Sequence, residues 1–180
     1  MKNNEIKTWL WLEDEFRTIQ DIVAKFPLNY KQFNTVGALI DFLIIEKQKE
    51  RLKDYGLILD VLLKGNQYIY LPTEWNHASK IPYIKTEMGY DVGVVFYEEL
   101  IMNKSNNWEP IWNPPPPIIF LTVIPFDPQM EIRINEIKIA WGNTHHIEAE
   151  FAKVKWVRKW DVEYQDSEFY QLLNEWGGGK

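Results

Sequence analysis

The sequence predicts an α+β fold: N-terminal helices packed on a mainly antiparallel β-sheet, with a short C-terminal helix. Three observations lead there. Apolar residues recur at helical spacing before residue 66, and in short runs or alternation after it. Nine of the ten prolines and seven of the nine tryptophans lie beyond that point. Charge divides there too: residues 1–66 carry 10 basic and 10 acidic side chains, and residues 67–180 carry 10 and 16, the whole of the net −6. The expected organisation is a helical segment over 1–66, a β-rich segment over 67–176 forming one domain with it, and a flexible Gly-Gly-Gly-Lys tail over 177–180.

Taken in order, Ile6, Trp9, Leu12, Phe16, Ile19, Val23 and Phe26 form an amphipathic stripe that Pro27 should stop. A second helix is expected from Asn34 or Thr35, both good N-caps, with Val36, Leu39, Ile40, Leu43 and Ile44 facing inward. The pattern resumes at Leu52, Tyr55, Leu59, Leu62 and Leu63 and ends at Gly65-Asn66. The charged stretch between, residues 46–54, reads as a solvated face whose i,i+3 pairs add tenths of a kcal/mol each. Residues 35–65 fit one helix or two.

Beyond the boundary, residues 68–71, 82–87 and 92–97 read as short strands. Residues 103–117 read as a proline-rich loop. Ile118 to Ile124 is a continuous apolar run, hence a central strand buried on both faces. Ile132 and Ile134 share one strand face, and Ile137, Ile139 and Trp141 the other, with a bulge or turn at Asn135-Glu136. Residues 146–164 read as one or two antiparallel strands with a half-solvated late part. Ser167 then caps a helix whose Phe169, Leu172, Leu173 and Trp176 lie at i, i+3, i+4 and i+7.

Composition excludes some functions. With no cysteine, the chain has no disulfide, thiolate metal site, iron–sulfur cluster or cysteine nucleophile. Its longest apolar runs are far short of the roughly 20 residues that span a bilayer. No uninterrupted signal-type apolar segment leads the sequence, and a cytoplasmic location is expected. No nucleophile elbow, zinc-protease motif, P-loop or dinucleotide fingerprint is present, so the reading leans away from an enzyme and expects no cofactor.

The leading expectation is an acidic protein-binding module (adaptor, inhibitor or neutralising partner) whose partner is another protein, with the acid excess favouring a basic one. Its surface would be the aromatic and proline loop: Trp108, Glu109, Trp112 and Pro114, Pro115, Pro116 and Pro117, with Trp75 beside it. Tryptophans bury large areas at low rotamer cost, and consecutive prolines hold φ in advance. A first alternative is nucleic-acid binding by Lys153, Lys155, Trp156, Arg158, Lys159 and Trp160, with cations on phosphates and rings on bases. Alternation separates the rings from most of the cations, and the acidic half repels a polyanion. A second alternative is a metal-assisted enzyme at His146, Glu148 and Glu150, which a strand would present on one side.

Overall fold

In the computed structural model, which describes residues 6–64, 67–70, 83–86, 92–102, 111–124, 126–163 and 167–177, strands and helices alternate. The chain runs β1 (Thr8–Leu12), α1 (Phe16–Lys25), β2 (Tyr30–Phe33), α2 (Val36–Gln48), β3 (Tyr55–Leu59). A hairpin pair, β4 (Gln67–Tyr70) and β5 (Tyr83–Thr86), comes next, then α3 (Val92–Phe96). The series closes with β6 (Ile118–Thr122), α4 (Pro128–His145), β7 (Val154–Arg158) and α5 (Glu168–Trp176). Five strands form one sheet in the order β2-β1-β3-β6-β7, and every pairing in it is parallel. Among the described residues β4 and β5 alone pair antiparallel, in a sheet of two.

This corrects the expected antiparallel sheet and the expected segregation of helices before strands. The physical reason lies in burial. A parallel strand covered on both faces is apolar throughout, so it carries no alternation to read. All five residues of β3 and of β6 are buried, as are four of the five in β1. Leu10, Leu12, Leu57, Leu59, Ile118 and Phe120 point into one core, against α2, α3 and α4. Trp9, Trp11, Ile58, Ile119 and Leu121 point into the other, against α1 and α5. A stretch such as Trp9-Leu10-Trp11-Leu12 therefore satisfies a helical stripe by accident, because every position in it is apolar.

Other expectations move in the same way. The stretch 52–63 contains a 3-10 turn and then β3 instead of continuing a helix. Residues 92–97 form α3 and enter a π turn over Tyr97–Ile101. The strands expected around Ile132–Trp141 are one helix, α4, whose Met130, Ile134, Ile137 and Trp141 are buried at helical steps. Its start is well marked: Pro128 occupies the first turn, and the Asp127 carboxylate accepts the Met130 N–H at 2.8 Å. Among the described residues of 146–164, Val154–Arg158 is the strand. The Thr35 cap of α2, the buried central strand from Ile118 and the C-terminal helix stand where expected, the last with Phe169, Leu172, Leu173 and Trp176 buried.

The topology fixes where a site can be. α1, the helix after β1, packs on one face of the sheet, and α3, the next helix after the adjacent β3, packs on the other. Helices that part in this way mark a topological switch point at the carboxyl ends of the strands, the place where doubly wound sheets have their ligand crevice. The crevice wall at β3 is tight. The Val92 N–H donates to the Val61 carbonyl at 2.9 Å, and a Cβ on Gly93 would collide with the Asp60 carbonyl oxygen. Gly93→Ala is expected to cost roughly 1–3 kcal/mol, the usual penalty of overpacking against backbone that cannot yield. Its melting temperature, against that of the wild type, checks this.

Candidate functional site

Four strands end at that crevice, and each is followed or closed by a polar residue. After β1 come Glu13 and Asp14, after β3 comes Asp60, the last residue of β6 is Thr122, and after β7 comes Lys159. Parallel register brings them together. Glu13 and Asp60 are held at the backbone: the Glu13 N–H donates to the Phe33 carbonyl and the Asp60 N–H to the Leu12 carbonyl, both at 2.9 Å.

The Lys159 ammonium lies between two carboxylates, 2.6 Å from Glu13 Oε2 and 2.7 Å from Asp60 Oδ2. All three side chains are nearly sealed, with exposures of 9% for Lys159, 0% for Glu13 and 2% for Asp60. The other oxygens are held as well. Glu13 Oε1 accepts the Glu15 N–H at 3.0 Å, and Asp60 Oδ1 accepts the Leu62 N–H at 3.1 Å. The buried Thr122 hydroxyl lies beside Asp60, where it favours the ionised carboxylate, and it accepts the Ile124 N–H at 3.2 Å. Asp14 forms the half-exposed edge of the group, its Oδ2 accepting the Lys64 N–H at 2.8 Å.

Burial sets the electrostatics. It raises the Glu13 carboxyl to about 7, the neighbouring Asp60 charge adding to the effect and Lys159 opposing it. Burial likewise raises Asp60, with Lys159 opposing. For Lys159 burial alone would lower the pKa, but Asp60 and Glu13 outweigh it and the ammonium is held above its ordinary range. Two sealed carboxylates thus share one cation and the excess is negative.

Ligand atoms of Glu13, Asp14 and Asp60 all lie within 4.8 Å of one another. Three carboxylates are a hard-oxygen donor set, suited to Mg²⁺, Mn²⁺ or Ca²⁺ and not to softer metals. Among the described residues this is the group of three acidic or imidazole side chains that converges closely enough to hold an ion.

His146, Glu148 and Glu150 are not aligned by a strand. His146 ends α4 in the left-handed region, φ 57°, and Ala149–Phe151 form a 3-10 turn with all three side chains exposed. In the basic stretch, Lys155 pairs with Glu168 at 3.4 Å and Arg158 with Asp161 at 2.8 Å, while Lys159 turns into the crevice. Lys153 is half-buried, its ammonium 6.0 Å from the Trp176 ring centroid. Trp156 packs against Phe120 and Phe126, and Trp160 is exposed with the Arg158 guanidinium over its ring.

In the proline loop, Trp75, Trp108 and Glu109 lie outside the described residues. Trp112 is 4% exposed and belongs to the core beside Ile111. Pro115 and Pro116 are buried, Pro117 is half-buried and Pro114 is exposed. The Pro116 carbonyl accepts from Trp141 Nε1 at 3.0 Å and from the Tyr97 hydroxyl at 3.3 Å.

Sequence reasoning passed over Glu13, Asp14, Asp60 and Thr122 and gave Lys159 another role. A signal was present: LWLED, LILD, IFLT and WVRK are each an apolar-rich run closed by a polar residue. Only a parallel arrangement makes those ends neighbours.

No family model matches this chain, and neither the curated proteins nor the solved structures give a match. Among the described residues no helix is long and apolar enough to cross a membrane.

Proposed function

We propose that this chain is a phosphoryl-acceptor domain in which Asp60 takes a phosphoryl group with a divalent cation held by Glu13, Asp14 and Asp60. The observation that carries the reading is the meeting of three carboxylates, one hydroxyl and one buried ammonium at the carboxyl ends of the central strands. Acidic residues alone would suit a cation only. The added Lys159 and Thr122 supply what a phosphoryl group needs: a positive charge and a hydroxyl donor beside one particular carboxylate.

Asp60 is the acceptor of choice on geometry. It lies 2.7 Å from Nζ, has the Thr122 hydroxyl in its neighbourhood, and has its Oδ1 fixed by the Leu62 amide, which leaves Oδ2 as the attacking atom. Oδ2 forms a bond to phosphorus as the bond to the donor's leaving oxygen breaks; the leaving group departs with that electron pair and takes a proton from water. The product is a mixed anhydride whose added charge Lys159 neutralises. A bound divalent cation supplies charge compensation to the transferring group and the carboxylates together. The donor is a reactive phosphate, either a small acyl phosphate or a phosphorylated side chain of another protein. In the latter case the expected protein partner becomes the donor.

The test is incubation with acetyl phosphate and Mg²⁺, followed by intact mass. The reading expects one phosphoryl group per chain, lost with a chelator, with hydroxylamine and in Asp60→Asn. Incorporation that is indifferent to the chelator, or that persists in Asp60→Asn, contradicts it.

A further inference from the structure

This inference rests on the phosphoryl-acceptor reading and concerns what occupies the crevice before any ion does. Glu13 Oε2 is fully buried. It sits 2.6 Å from Lys159 Nζ, yet the contact lacks the alignment of a hydrogen bond and no other donor reaches that oxygen. Asp60 Oδ2, by contrast, receives a well-directed bond from the same ammonium at 2.7 Å. Nζ is therefore committed to Asp60 and only electrostatically attached to Glu13.

We propose that Lys159 is the resident cation of the ion-free crevice and that a divalent cation enters by displacing its ammonium from Glu13 Oε2, so that the lysine is a built-in competitor setting the affinity of the site. The spacing supports exclusion. A magnesium-sized ion binds oxygens at about 2.0–2.1 Å. An ion at that distance from Oε2 and a second positive charge at 2.6 Å from the same atom would share one small sealed volume. Coulomb repulsion between them is strong where water does not screen it. Asp14 is the half-exposed member of the triad, so the ion arrives from its side and Nζ retreats along Asp60. That retreat places the ammonium where a phosphoryl group on Oδ2 would need it, and ion binding thereby prepares the lysine for its second task.

Titration with MnCl₂, followed by calorimetry, measures the competition. Lys159→Met keeps the length and removes the charge, and the proposal expects it to bind Mn²⁺ about tenfold tighter or more, a coupling of ordinary size. Arg158→Gln removes a charge one residue away from an exposed side chain and is expected to leave the affinity unchanged. Equal affinity in wild type and Lys159→Met, or the same gain in Arg158→Gln, overturns the displacement and leaves the functional reading standing. No Mn²⁺ binding in either protein overturns both.

Lys159→Met leaves two buried carboxylates without their cation, at a cost to folding, so a second measurement uses the wild type. Acetylation of Lys159 by acetic anhydride, followed by peptide mass, is expected to be slow without the ion, because two carboxylates hold a side chain only 9% exposed, and several-fold faster with Mn²⁺ bound, because Glu13 has then released it. An unchanged or slower rate with Mn²⁺ bound contradicts displacement.

Discussion

Trp112→Ala is expected to lower the melting temperature sharply, at a cost of roughly 3–5 kcal/mol. Trp112 is 4% exposed and sits beside Ile111 in the core that α2, α3 and α4 form over one face of the sheet. Truncating an indole there removes its transfer energy and leaves a cavity that fixed neighbours cannot fill. The neighbours are fixed, because the following residues are strapped down: the Pro116 carbonyl takes hydrogen bonds from Trp141 and Tyr97, and His145 Nε2 lies 3.0 Å from the Pro115 carbonyl. A surface anchor would behave in the opposite way, with stability nearly constant and partner binding lost. Thermal unfolding of the variant separates the two.

Glu13→Gln is expected to do the reverse and stabilise the ion-free protein, by on the order of 2 kcal/mol above neutral pH. Two sealed carboxylates share one ammonium in the crevice, and the substitution leaves a one-to-one pair of Lys159 with Asp60. Burial, then the Asp60 charge, raises the Glu13 carboxyl from 4.5 to about 7. The folded protein therefore holds that proton more tightly than the unfolded chain does. Stability from this group is complete below about pH 4.5 and is lost as pH rises through about 7. The advantage of Glu13→Gln should accordingly vanish at acid pH and reach its full size above pH 7. Added Mg²⁺ should stabilise the wild type and narrow the gap, because an ion that binds only the folded state raises its stability by mass action. Melting curves across pH, with and without Mg²⁺, check both statements.

The fold was legible in parts. Helix starts are legible at Thr35, whose side chain caps α2, and at Ser167, which stands at the start of α5 without a side-chain cap bond, because a helix start is a local device that needs no knowledge of the sheet. The same kind of signal, Asp127 with Pro128, was available for α4 and was outweighed by a false strand alternation at Ile132 and Ile134. Burial on both faces was read correctly for Ile118 onward, where a β-branched run leaves no helical alternative. It was misread for Trp9 to Leu12, where tryptophan and leucine suit either element. The antiparallel expectation followed from those errors, since three strands of the parallel sheet lie in the part read as helical.

The candidate site was less legible for a reason of register. Glu13 and Asp60 are 47 positions apart and Asp60 and Lys159 are 99 apart, and only parallel pairing of β1 with β3 and of β3 with β6 and β7 brings those ends to one edge. Read locally, Lys159 belongs to a basic stretch and Glu13 to an acidic one. Their roles follow from burial against each other, which no spacing rule contains. The exposed side chains of that basic stretch, Arg158 and Trp160, stack on each other at the surface.

The central claim is that Asp60, and no other carboxylate, receives the phosphoryl group. Sodium borohydride reduces an aspartyl phosphate to homoserine, so treating the acetyl phosphate-reacted protein with it and sequencing the peptides by mass spectrometry marks the position directly. Homoserine at position 60, dependent on Mg²⁺, is the predicted result. Reduction at Glu13 or Asp14, or at none of the three in protein that has bound Mg²⁺, would contradict the account.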